Sequence, residues 1–200
     1  MGTPAFLWKR QGTEWRDPVQ VLNLWPGARK PGAPTLAWEA VGSFWDILDQ
    51  LKVTLLVGRE YEHLLMGFSY AGQPRATYHP IPHPSGIAVD HERGRVFVAS
   101  TRCPNQLVEF APVEGLLERT DIAGSPLTGN PLIPLSARFL PGCLYLHDLA
   151  FIGGRLHGNA VAHNAIVRFD RQGGFTRVWW PACIDSPRGP RFDRNFLQLN

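Results

Sequence analysis

The feature that most constrains the fold is an internal repeat of about 60 residues. The segment 86-GIAVDHERGRVFVASTRCPNQLVEFA-111 aligns with 148-DLAFIGGRLHGNAVAHNAIVRFD-170. Ile87 aligns with Leu149 at an offset of 62 residues, and Asn105 aligns with Asn164 at an offset of 59. Each copy reads as strand, glycine turn, strand, loop and strand, and a fourth strand follows the second copy near Phe175. The repeat therefore predicts similar antiparallel β-units that stack on one another.

Four-stranded units that recur at this period are the signature of a β-propeller, because one sheet cannot bury both of its faces alone. The earlier segment 55-LLVGREYEHLLMGF-68 has the pattern of the middle and outer strands of an incomplete copy. At this period 200 residues hold about three blades, whereas closed propellers have at least four. Leu199-Asn200 aligns with Leu146-His147, where an inner strand begins. We therefore predict an all-β partial propeller over residues 43–200 that is cut at the start of a further blade.

The segment before the propeller is predicted to differ in character. Residues 1–42 are rich in proline, glycine and tryptophan without a sustained period, which favours an irregular arm that packs through its tryptophans. Residues 43–51, SFWDILDQL, predict one short helix, with Ser43 as the N-cap and Asp46 at the capping-box position. Its apolar face is predicted to contain Phe44, Ile47, Leu48 and Leu51.

Composition and charge exclude several classes of protein. The net charge is +3, but the basic residues are scattered, so the sequence does not predict a nucleic-acid partner. The N-terminus lacks the charge and apolar core of a signal peptide, and no segment is long and apolar enough to span a membrane. Cys103, Cys143 and Cys183 form no CxxC motif, so we interpret them as buried free thiols. These features predict a cytoplasmic protein.

Several segments together resemble one bacterial family, the domain of unknown function 4915. They are FWDILDQLKVTLLVGREYEHLLMGF, PSGIAVD, RVFVASTRCPNQLVEF, LHDLAF and FLQLN, and they span roughly residues 43 to 200. Cys103-Pro104 is inserted relative to the family's pattern, and residues 158–162 depart from its "VNTRF" motif. The resemblance implies a propeller-like fold and longer chains, and it implies no activity.

The candidate functional residues cluster where inner strands begin, because side chains there face the central channel of a propeller. His147-Asp148 stands at such a position, and the aligned positions are Ser85-Gly86 and Asn200. The predicted channel residues are Ser85, His147, Asp148, Asn159, His163 and Asn200. We predict no cofactor, although imidazole and carboxylate also suit a divalent metal with His147 and Asp148 as ligands. For the His147-Asp148 pair, we favour the simpler interpretation that these groups only satisfy each other and the backbone, over a binding, metal or catalytic role.

The other histidines receive simpler interpretations. His157 aligns with Phe97 and is predicted to pack within a strand, whereas His79 and His91 are predicted to be solvated. His83 precedes Pro84 and is a further candidate for the channel. Trp179-Trp180-Pro181 ends a strand, and we favour packing between blades over the alternative of an exposed interaction edge.

Two functions follow from these observations. The sequence favours a non-catalytic binding or assembly module, a subunit whose incomplete propeller is completed or covered by a partner chain or by a second copy. No catalytic motif such as G-x-S-x-G or HExxH is present. The alternative is a metal-assisted hydrolase or other small-molecule enzyme with its site around His147 and Asp148.

Overall fold

The computed structural model describes residues 32–101, 105–113, 132–140, 144–192, 197 and 199. These residues form three antiparallel sheets and two short α-helices, α1 (Ala33–Leu36) and α2 (Phe44–Leu51). The first sheet contains β1 (Leu55–Arg59), β2 (Leu64–Tyr70) and β3 (Pro74–Pro80). The second contains β4 (Pro84–Asp90), β5 (Arg95–Ser100), β6 (Gln106–Pro112) and β7 (Leu132–Phe139). The third contains β8 (Leu146–Ile152), β9 (Arg155–Ala160), β10 (Ala165–Phe169) and β11 (Phe175–Trp179).

The repeat predicted from the sequence is confirmed in the second and third sheets. Both sheets are meanders in which each strand pairs with the next one along the chain. The pairing of β4 with β5 shifts register between Pro84 and Ile87, and that of β8 with β9 shifts between Leu146 and Leu149. These two β-bulges lie at aligned positions of the repeat, so the copies share an irregularity as well as a strand order. The fold is a partial β-propeller.

The first sheet lacks the innermost strand of the other two among the residues that the structure describes. Ile81 N donates to His63 O at 3.1 Å, and Leu140 N donates to Asn105 O at 2.8 Å. Each bond extends the pairing of the last two strands of its sheet by one residue, β2 with β3 in the first sheet and β6 with β7 in the second. The strands β1, β2 and β3 therefore correspond to β5, β6 and β7. In agreement, β1 contacts β4 as β5 contacts β8. The predicted incomplete copy is therefore made of middle and outer strands.

The second sheet lies between the other two and contributes to both hydrophobic cores. Alternate side chains of a strand point to opposite faces of its sheet. Val96 and Val98 pack with Leu65 of the first sheet, whereas Phe97 and Ala99 belong to a core shared with the third sheet. This alternation explains why Val96–Ser100 are all buried.

The helix α2 covers the face of the first sheet that points away from the second sheet. It begins after Ser43, as predicted, but the Ser43 side chain makes no capping hydrogen bond. Trp45 contacts Phe68 with ring centroids 6.3 Å apart, and Leu48 is buried. Ile47 and Leu51 were predicted to lie on the packed face, but both are exposed because the aromatic contacts with Phe68 set the rotation of the helix. Among the described helices, none is long and apolar enough to cross a membrane.

The turn between β4 and β5 contains an ion pair that makes stability depend on pH. Asp90 Oδ1 accepts from Arg93 N at 3.1 Å, and Asp90 Oδ2 accepts from Arg93 Nη1 at 2.8 Å. Burial raises the pKa of Asp90, but the hydrogen bonds and the charge of Arg93 outweigh it and hold this pKa below its ordinary value of 3.8. The carboxylate therefore stabilises the fold fully above pH 3.8, and this contribution is lost as the pH falls through the lower folded pKa.

We expect Asp90→Asn to remove part of the acid sensitivity of the fold. The free energy of unfolding, measured by urea denaturation at several pH values, should fall less steeply below pH 3.8 in the variant than in the wild type. Arg93→Ala should have a similar effect because it returns the pKa of Asp90 towards its ordinary value. Identical acid profiles for the wild type and both variants would contradict this assignment.

Candidate functional site

The side chain of Asn159 holds the bulge at the start of β8. Asn159 Oδ1 accepts from His147 N at 3.0 Å and from Asp148 N at 2.6 Å. The bulge removes both N–H groups from regular strand pairing, so they need another acceptor. Asn159 Nδ2 donates to Leu199 O at 3.0 Å, and the Asn159 side chain is buried. One amide group therefore connects β8, β9 and the backbone at Leu199.

The inner strands β4 and β8 approach each other closely at the same place. Ser85 Oγ donates to His147 O at 3.0 Å. A Cβ added to Gly86 would lie 2.7 Å from the carbonyl carbon of Asp148, so only glycine fits at this position. Asp148 Oδ1 accepts from Leu149 N at 2.8 Å, so this carboxylate bonds to the backbone of its own strand. Ser85, His147, Asp148 and Asn159 therefore form one hydrogen-bonded group at the inner strands.

The structure describes only one of the other two predicted channel residues. His163 lies in the turn after β9, is buried, and its Nδ1 accepts from Arg177 Nη2 at 3.0 Å. Asn200 lies outside the described residues, as do Cys103 and Cys143. Cys183 is exposed rather than buried.

The remaining histidines divide into exposed and packed groups. His91 is exposed, as predicted. His79 was predicted to be solvated but is half-buried between the first two sheets, where its Nε2 accepts from Leu132 N at 3.4 Å. Burial lowers the pKa of His79. His83 is buried, and its backbone N–H donates to Nδ1 of His63 at 3.1 Å.

One face of the third sheet points away from the second sheet, and no described sheet covers it. We call it the open face, and it contains Ala150, Ile152, His157, Ile166 and Trp179. Ile152 is 58% exposed and Trp179 is 50% exposed. Trp179 pairs directly with Ile166 across β10 and β11, so the two side chains lie on the same face. Trp179 therefore does not pack between the described sheets, contrary to the favoured interpretation, and it is exposed as in the alternative one.

The repeat gives the open face a direct comparison within the same chain. The residues of the second sheet that face the third sheet are buried: Ala88, Phe97, Ala99 and Leu107. The aligned residues of the third sheet are Ala150, His157, Asn159 and Ile166. Phe97 packs against Phe151 of the next sheet, with ring centroids 5.6 Å apart. His157 occupies the position of Phe97, but no described sheet lies against it.

A shallow cavity of about 230 Å³ lies on this face beside Leu199. Asp148, His157 and Asn159 supply its polar lining, and Ile152 and Ile166 contribute apolar side chains. His157 Nδ1 is 2.8 Å from the carbonyl oxygen of Arg155, which can only accept, so this nitrogen carries the proton. In the neutral imidazole, Nε2 is therefore a hydrogen-bond acceptor. The cavity suits a ligand surface that is apolar with a few donors.

The described part of the chain brings together no group of three or more His, Cys, Asp or Glu residues that could hold a metal ion. Within this part, His147 and Asp148 have no third ligand beside them. Sequence reasoning missed Ile152 and favoured packing over exposure for Trp179, because exposure depends on which neighbours are present. The alignment of Phe97 with His157 was the signal that could have identified the open face.

Comparisons with known proteins identify a family of unknown function. A family model described as domain of unknown function (DUF4915) matches residues 42–197. Among solved structures, the chain is similar to a streptogramin B lyase, with 13% identity and a TM-score of 0.46 over 64% of this chain. It is also similar to a catalytically inactive virginiamycin B lyase from Staphylococcus aureus with quinupristin, with 13% identity, a TM-score of 0.45 and the same coverage. The chain spans 38% of the length of each lyase. Comparison with curated proteins found no match.

Proposed function

The chain belongs to the family of the domain of unknown function DUF4915, and from this premise we propose that it is a non-catalytic binding and assembly module. A further β-sheet, supplied by a partner chain or by a second copy, covers the open face of the third sheet. The single observation that carries this proposal is the contrast between aligned positions. Phe97 and Leu107 are buried by the next sheet, whereas His157 and Ile166 are only half-buried.

The energetics favour coverage of this face. Burying an exposed isoleucine side chain contributes about 2 kcal/mol, and a half-exposed tryptophan offers still more apolar area. The opposite end of the stack differs, because α2 and its aromatic residues already cover the outer face of the first sheet. The open face is therefore the stronger candidate for docking of a sheet.

We expect Ile152→Arg to weaken the assembly, because the substitution places a charge where a partner sheet buries an apolar side chain. The association constant should fall by about tenfold to a hundredfold. The measurement is the molar mass of the purified chain by light scattering, together with identification of any chain that elutes with it. Leu135→Arg is the matched control, because Leu135 is 49% exposed on β7 and lies outside the open face.

The wild type and the Leu135→Arg variant should elute as an assembly, whereas Ile152→Arg should shift towards the monomer. A stable wild-type monomer with no accompanying chain would contradict the proposal. Equal assembly of the wild type and Ile152→Arg would also contradict it.

The second candidate function is a metal-assisted hydrolase or other small-molecule enzyme with a channel site around His147 and Asp148. The observation that favours it is the cavity lined by Asp148 and Asn159. If the chain is a metal-assisted hydrolase, elemental analysis should find a stoichiometric divalent metal, and His147→Ala should lose it. If the binding module is correct, no such metal is found, and His147→Ala leaves the molar mass of the assembly unchanged.

A further inference from the structure

Besides the open face of the third sheet, the described residues leave one strand position unfilled in the first sheet. It lies at the edge of β1 where the other two sheets have their inner strands. In the other two sheets this edge is occupied, because β5 pairs with β4 and β9 pairs with β8. No described strand pairs with the corresponding edge of β1. Its burial differs accordingly, since none of the residues in Leu55–Arg59 is buried, whereas five of the six in β5 are.

The neighbouring inner strand β4 is also less buried than its equivalent β8, on the side that faces the first sheet. Leu149 of β8 packs in the core behind β4 and is only 4% exposed. Ile87, its equivalent in β4, is only partly buried against the core between the first two sheets. Val89 of β4 is 40% exposed, whereas Phe151, its equivalent in β8, packs against Phe97. The open edge of β1 and the uncovered side of Ile87 and Val89 therefore border one slot.

We propose that this slot binds an extended segment of a partner chain, which adds to β1 as the inner strand of the first sheet. The inference goes beyond the proposed function and does not rest on it, because it concerns a different sheet. The backbone of β1 supplies the hydrogen bonds, as in other cases of strand addition, and the added strand runs antiparallel to β1, as β4 does to β5.

The internal repeat defines the chemistry of the segment that fits. In β4 the residues that face β8 are small, Gly86 and Ala88, because the two inner strands nearly touch. A strand that takes the equivalent place beside β4 needs small residues at the same two alternate positions. Between these small residues the added strand needs an apolar residue, which corresponds to Ile87 in β4. The preferred ligand is therefore an apolar strand with alternate Gly or Ala.

The test uses a labelled synthetic peptide, PSGIAVD, which is the sequence of β4, and the full 200-residue chain. We expect saturable binding by fluorescence anisotropy. Two further peptides carry N-methyl groups on alternate residues, in the two opposite phases. One phase should bind about tenfold more weakly because it removes N–H groups that pair with β1, whereas the other should bind normally. Equal binding of the two phases, or no binding of the parent peptide, would overturn the proposal.

Variants of the peptide and of the protein locate the binding site. A peptide with Gly86→Val and Ala88→Val should lose binding, because its side chains would collide with β4. In the protein, Val89→Arg should weaken binding of PSGIAVD, whereas Leu135→Arg on the outer strand of the same sheet should not. Ile152→Arg should also bind the peptide normally, which separates this slot from the open face. Normal binding by Val89→Arg, verified as folded by circular dichroism, would place the peptide elsewhere and overturn the proposal.

Discussion

Replacing Gly86 by valine is expected to lower the free energy of unfolding by about 3 kcal/mol. A Cβ at this position would lie 2.7 Å from the carbonyl carbon of Asp148 and 2.9 Å from its Cα. These are backbone atoms of β8, so no side-chain rotation can relieve the collision. The strands β4 and β8 must separate, and the core between the second and third sheets loosens with them.

The measurement is urea denaturation of the Gly86→Val variant beside the wild type, with Gly32→Val as the matched control. Gly32 has an extended backbone, and a Cβ there makes only an ordinary contact of 3.7 Å with Pro34. The control should change the free energy of unfolding by at most about 1 kcal/mol, because Gly32 is the N-cap of the short helix α1. If both variants unfold at the same urea concentration, β4 and β8 do not pack as closely as described.

Replacing Asn159 by alanine is expected to cost about 2 kcal/mol of stability. The N–H groups of His147 and Asp148 lose their shared acceptor, and Leu199 O loses its donor. An unsatisfied buried polar group costs about 1–3 kcal/mol, and partial access of water to the bulge keeps the total towards the middle of that range. The measurement is again the free energy of unfolding from urea denaturation.

Asn159→Asp separates the two roles of this side chain. At neutral pH its carboxylate still accepts from both N–H groups but cannot donate to Leu199 O, so this variant should be more stable than Asn159→Ala. Equal stability of the wild type and Asn159→Ala would show that the bulge needs no acceptor from β9.

The repeat made much of this fold predictable. The alignment of residues 86–111 with residues 148–170 predicted the strand order and the incomplete first copy, because hydrophobic alternation and glycine turns are local properties of the chain. It also placed Ser85, His147 and Asp148 at the inner strands, where they do lie together. Whether these residues bind a ligand stays a prediction.

Features that depend on contacts between distant segments were not predictable in the same way. The helical period treats Ile47 and Leu48 alike, but the aromatic contacts of Trp45 with Phe68 bury one and expose the other. His79 is preceded by polar and aromatic residues that give no sign of its contact with Leu132. The exposure of Ile152 and Trp179 follows from the absence of a described neighbouring sheet, which no local pattern records.

Thiol labelling of Ala150→Cys in the purified assembly tests most directly whether the open face is covered. Ala150 is exposed on the described chain, so an uncovered cysteine there should react as fast as one introduced by the control substitution Leu135→Cys. Labelling at each site is followed by peptide mass spectrometry, which distinguishes the native cysteines. We predict that Ala150→Cys reacts more slowly than Leu135→Cys, and that adding Ile152→Arg abolishes this protection. Equal rates at the two positions in the wild-type background would contradict the proposal that a partner sheet covers this face.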